Sequence, residues 1–179
     1  MTEEEYVSDL NTIIEVYMLS CRLMKDDLGI TDVDVNAIFS NLEMLKPLHE
    51  KFHEDLKARF DEAAKAGEGD ANVADVFTSL SSFFKMYMQY CANYPSAVQH
   101  LENLEKGNKK FARFIQVSQG NERSKNMTMG SWLIKPVQRL CKYPLLLREL
   151  CNHTGEDHPD HESINMARQK INEVHQNSD

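Results

Sequence analysis

The sequence predicts an all-α fold, an elongated bundle of about six helices. Apolar residues recur at steps of three and four over stretches much longer than a strand. Only seven Gly and five Pro stand among 179 residues, too few for the many tight turns of an all-β chain. Nine Met, with abundant Leu, Lys, Glu and Ala, supply good helix formers. The length suits one domain over residues 1–179, large enough to bury about 70% of its unfolded surface.

The first helix is expected from residue 2 to about 25. Tyr6, Leu10, Ile13, Ile14, Tyr17, Cys21 and Met24 make its inward face, and Thr2 with Glu5 fits a capping box. Residues 29–34 interrupt the pattern, with Thr31, Asp32 and Asp34 available as caps. A second helix is expected over about 34–66, on the stripe Val35, Ile38, Phe39, Leu42, Leu45, Phe52, Leu56 and Phe60. Pro47 predicts a kink near residues 43–46, since a proline removes a backbone donor and crowds the preceding turn. Residues 67–70 read as a turn. The third helix runs over about 73–90 with Val73, Val76, Phe77, Leu80, Phe84 and Tyr87, and Pro95 is expected to end that run. A fourth, about 97–118, carries Leu101, Leu104, Phe111, Phe114 and Ile115. After a polar link at 120–126 comes the fifth, about 128–152. A polar loop spans 153–161, and a last helix runs from about 162 to the end, with Ile164, Ala167, Ile171 and Val174 inward.

Composition narrows the function. The net charge of −8 argues against nucleic acid as the main partner. Cys21, Cys91, Cys141 and Cys151 form no C-x-x-C pair and read as reduced thiols in helices, so a cytoplasmic location is expected. No signal peptide is visible, and no apolar run approaches the roughly 18 residues of a membrane span. Lys106, Lys109, Lys110 and Arg113 form a basic patch. It reads first as a solvated helix face, and is compatible with transient membrane proximity through lipid headgroups. His153, His158 and His161 sit near Glu156, Asp157 and Asp160, but their spacing matches no standard zinc pattern, so no metal is expected. No Gly-rich phosphate loop precedes a helix and no nucleophile has a recognisable context, so no cofactor and no covalent chemistry are expected either.

Residues 135–150, KPVQRLCKYPLLLREL, organise the rest. Leu133, Val137, Leu140, Pro144, Leu147 and Cys151 form one apolar stripe at helical spacing. Beside it runs a second, Lys135, Gln138, Lys142, Leu145 and Glu149. One helix can bury the first and present the second. Pro136 fits a first helical turn. Pro144 falls in the interior, where proline costs roughly 3 kcal/mol, and is expected to bend or loosen the turn bearing Lys142.

These residues resemble the longest signature block of the Dbl-homology domain, the catalytic module of guanine-nucleotide exchange factors for Rho-type small GTPases. Residues 2–10, TEEEYVSDL, are similar to the family's first block, and Tyr87, Tyr90, Cys91 and Asn93 resemble its second. The resemblance implies a Rho-family GTPase partner (Rac-, Rho- or Cdc42-like) whose GDP release the domain promotes. It implies a protein that acts as a monomer without covalent catalysis, in actin-regulating signalling, with recruitment to membranes admitted.

Carried over by position, Glu3 holds switch I, Gln138 and Lys142 engage switch II, and Leu145 touches a selectivity region. The family's last-helix asparagine falls at Asp179, where a carboxylate accepts but cannot donate. Glu3 also fits a simpler role, as a first-turn acid worth about 0.3–1 kcal/mol through the helix dipole. Its removal is expected to leave melting almost unchanged. Such domains are usually followed by a pleckstrin-homology domain, and none lies in these residues, so the chain is expected to be a fragment of a longer protein. The alternative function is a helical scaffold or adaptor that binds a GTPase or another protein without exchanging nucleotide.

Overall fold

The structure, a computed structural model, describes residues 2–67, 71–81, 83–158 and 160–176. Every regular element among them is helical. The first helical stretch comprises α1 (Glu3–Thr12), a π-helical segment (Ile13–Met18), α2 (Leu19–Leu23) and α3 (Lys25–Leu28). Then follow α4 (Asp32–Phe39), α5 (Leu42–Ala66), α6 (Ala74–Ser81), α7 (Phe84–Gly107) and α8 (Lys109–Gln119). A short 3₁₀ turn (Glu122–Ser124) leads to α9 (Met129–Leu133), α10 (Lys135–His153) and α11 (His161–Gln176).

At about 1.5 Å per residue the two long helices, α5 and α7, each run for some 36 Å and set the length of the bundle. Around them α1 packs on α5, α4 on α7, α10 on α7 and α11, and α6 on α11. One apolar cluster runs through the interior from Tyr6 to Ile171, with Trp132, Tyr17, Phe39 and Phe111 among its fully buried members.

Local chemistry explains where the helices begin and stop. Thr2 and Glu5 form the expected capping box at α1, and Thr31 with Asp34 forms another at α4. Gly29 and Gly67 close α3 and α5 at φ of 66° and 71°, a left-handed conformation that costs a glycine nothing. Asn108 ends α7 and caps α8, accepting from the amides of Lys110 and Phe111.

Several boundaries differ from the sequence expectation. The π-helical segment adds a residue to a turn of the first helix and rotates its register. Met18 thereby enters the core, and Met24 ends 42% exposed. The second helix breaks at Ser40 and Asn41, ahead of the turn where Pro47 was expected to kink it. Ser40 sits at φ 49° and ψ −131°, a strained conformation, while the Asn41 amide donates to the Met86 carbonyl at 2.9 Å.

Pro95 does not end its helix, since α7 continues through it to Gly107. Pro144 lies inside an unbroken α10. An interior proline costs roughly 3 kcal/mol, and burying one large apolar side chain returns about 1.5–3 kcal/mol. Tyr87, Tyr90, Ala97 and Leu101 on α7, and Leu140, Tyr143 and Leu147 on α10, are buried on both sides of their prolines, so packing holds each helix together. The fifth helix does break, at Ile134, two residues before Pro136, which has no N–H to offer the Trp132 carbonyl.

Phe60, expected inward, is 59% exposed and edges a shallow cavity of about 410 Å³ with Ala63, Val73 and Leu150. The polar loop ahead of α11 is tied down: Asp160 is buried and accepts from the Val73 amide at 3.3 Å, and the His161 ring donates to the Thr154 carbonyl at 2.8 Å. No helix among the described residues is long and apolar enough to cross a membrane.

Candidate functional site

Helix α10 divides its side chains as its periodicity dictates. Pro136, Arg139, Leu140, Tyr143, Leu147 and Cys151 are buried against α7, α11 and α1. Gln138, Lys142, Leu145 and Glu149 are exposed, three and four residues apart and so on one side. Leu145 is 51% exposed and its neighbour Leu146 46%, which makes an apolar spot beside two polar groups. Among the described residues none pairs with the Lys142 ammonium or the Gln138 amide.

Lys135, expected to begin this stripe, points elsewhere. Its ammonium lies 2.6 Å from Asp9 on α1 and 4.6 Å above the Trp132 ring. Asp9 is itself buried, so the pair fastens α1 to the start of α10.

Glu3 is not a solvated first-turn acid. It is 8% exposed and reaches inward to α5 and α10. Its Oε1 lies 2.5 Å from His49 Nδ1, and its Oε2 accepts from Arg139 Nη2. The Tyr143 hydroxyl donates to the same carboxylate, 3.1 Å from Oε2, and accepts from Arg139 Nε at 3.0 Å. On the far side of the imidazole, Nε2 meets the Tyr87 hydroxyl, which lies 2.9 Å from that of Tyr6.

The charges in this network can be assigned from its surroundings. Burial pushes the Glu3 carboxyl up, but the hydrogen bond from His49 and the adjacent Arg139 guanidinium outweigh it and hold the group below its ordinary 4.5. Burial pushes the His49 imidazole below its ordinary 6.5, against the pull of Glu3. Near neutral pH, Glu3 is therefore a carboxylate, Arg139 its counter-charge, and His49 a neutral ring. Burial raises Tyr6, Tyr87 and Tyr143, which remain protonated donors.

Sequence reasoning missed His49, Arg139 and Tyr143 as members of a polar site. His49 carried a usable signal, because it falls between Leu45 and Phe52 on the buried register of α5, where a histidine needs partners. Asp179 lies outside the described residues.

A family profile described as RhoGEF domain matches residues 1–179, and the chain belongs to that family, the Dbl-homology exchange factors. It is 35% identical over 173 residues to RhoGEF domain-containing protein gxcJ of Dictyostelium discoideum, covering 97% of this chain and 14% of that protein. Its fold matches an activated truncation of Vav1 with a TM-score of 0.86 at 26% identity, over 98% of this chain and 42% of that one. The DH/PH domains of PDZ-RhoGEF, solved in complex with GTP-γ-S-activated RhoA, share the fold with a TM-score of 0.87 at 21% identity, over 99% of this chain and 49% of that one. The chain thus spans about half or less of these proteins.

Proposed function

We propose that this chain accelerates GDP release from a Rho-family small GTPase by docking the switch regions of that GTPase on the exposed face of α10. The observation that carries this reading is the unpaired stripe of Gln138, Lys142 and Leu145 on a helix whose opposite face is locked by Glu3, Arg139 and Tyr143. Gln138 and Lys142 engage switch II, and Leu145 packs against the region that distinguishes one GTPase from another. Glu3, buried beneath that face and held charged by His49 and Arg139, is the group assigned to switch I.

The work required is differential binding. An exchange factor must hold the nucleotide-free GTPase more tightly than the loaded one, and each tenfold acceleration needs about 1.4 kcal/mol of that difference. A helix face fixed before docking spends little binding energy on ordering itself. Release of a fluorescent guanine nucleotide from a panel of Rho-type GTPases tests the proposal. Acceleration with at least one member supports it, and tight binding without release would make the domain a scaffold.

A further inference from the structure

We infer that His49 is a positioning residue for GTPase engagement, fixing the aim and charge of Glu3 from beneath the docking face. The inference rests on the exchange reading above. His49 is fully buried on α5 and boxed in by rings: Tyr6 edge-on at 4.7 Å, Tyr87 edge-on at 5.5 Å, Phe52 edge-on at 6.3 Å and Tyr143 stacked at 6.2 Å. The imidazole has no room to turn, so its two nitrogens keep their partners.

Donor counting assigns the inner ring nitrogen, and the neutrality of the ring assigns the outer one. An ionised Glu3 only accepts, so His49 Nδ1 carries the hydrogen at 2.5 Å from Oε1. Nε2 is left with a lone pair and accepts from Tyr87, whose oxygen accepts from Tyr6. The titratable and charged groups around the ring are Glu3 and Tyr6 from α1, Tyr87 from α7, and Arg139 and Tyr143 from α10. One neutral imidazole thus joins four helices. Arg139 and Tyr143 lie next in sequence to Gln138 and Lys142, so the network that seats Glu3 also seats the turn that bears the docking stripe. Without the Nδ1 donor, Glu3 Oε1 keeps only the 3.4 Å contact to Tyr143, and Glu3 loses its hydrogen bond to α5.

The test is nucleotide release from a responsive Rho-type GTPase, with intrinsic release subtracted, measured per folded molecule at several GTPase concentrations and from pH 8 to 5.5. His49→Phe keeps ring volume without a donor, whereas the amide nitrogen of His49→Asn can stand near Nδ1. The expected result is at least a tenfold loss in His49→Phe, with weakened apparent affinity, and recovery of most of it in His49→Asn. Acidification puts the second proton on Nε2 and leaves the Nδ1 donor in place, so the ratio of wild-type to Phe-variant exchange is expected to stay large across that range.

Wild-type activity in folded His49→Phe overturns the inference, as does equal loss in both variants that merely tracks their stability. If His49→Phe does not fold, Tyr87→Phe substitutes for it by removing the Nε2 partner together with the bond to Tyr6. A severalfold loss is then expected, and unchanged exchange overturns the inference. Activity that disappears in Lys142→Ala but persists in the His49 variants strikes this inference alone. A wild type silent toward the whole panel strikes the exchange reading and this inference with it.

Discussion

Glu3 and Arg139, 136 positions apart in the chain, form an ion pair whose side chains are only 7% and 5% exposed. Removing one partner of a buried pair strands the other charge, at a cost of about 3–5 kcal/mol. Glu3→Ala is therefore expected to lower the urea midpoint strongly, in contrast to the near-silent substitution that a first-turn acid suggests. Glu4→Ala, at an exposed neighbour, is expected to stay within about 0.5 kcal/mol. Equal and small effects would return Glu3 to the helix dipole.

Acid should unfold this domain in two windows. The folded-state values of His49 and Glu3 lie below their ordinary 6.5 and 4.5, so the unfolded chain binds more protons in the acid range and stability falls with falling pH. The His49 contribution is complete above about 6.5 and drains away below it, and that of Glu3 is complete above about 4.5 and drains below that. Melting curves from pH 8 to 4 should show a decline beginning in the upper window, which His49→Phe removes. Wild-type and variant curves that run parallel between pH 6.5 and 5 would contradict the neutral-ring assignment.

Lys135 is expected to be a structural residue. Its bond to buried Asp9 is charge-assisted, and such bonds are worth about 1.5–3 kcal/mol. Lys135→Ala should cost roughly 2 kcal/mol by denaturant titration and leave exchange per folded molecule near wild type. A specific loss of exchange at full stability would restore Lys135 to the docking stripe.

Much of the fold was legible from periodicity, because an amphipathic helix writes its buried face every three or four residues. The division of α10 into Leu140, Leu147 and Cys151 inside and Gln138, Lys142 and Leu145 outside follows from spacing alone. What stayed hidden depends on contacts distant in sequence. Nothing near Glu3 announces Arg139 or His49, and an acid in a first helical turn looks complete without a partner. Pro95 misled for a related reason, since the local rule gives the penalty while the compensating burial comes from other helices. The Ser40 break and the π-helical segment have no composition signal, as both arise from fitting one helix against its neighbours.

Asp160 anchors the start of α6 from the loop before α11, through the Val73 amide. A helix-start acceptor of this kind is worth about 1 kcal/mol. For a domain of this length that is about 2–4 °C of melting temperature, the drop expected for Asp160→Ala. No shift would mean that the loop is solvated, as its polar composition first suggests.

If the outer face of α10 drives nucleotide release, Lys142→Ala removes its one ammonium group. Lys142 is exposed and makes no ion pair among the described residues, so its truncation should move stability by under about 0.5 kcal/mol. Fluorescent-nucleotide release from the most responsive Rho-type GTPase should fall by more than tenfold in that variant, with an unchanged melting curve. Full exchange activity in a folded Lys142→Ala domain would mean that this face of α10 does not engage the GTPase.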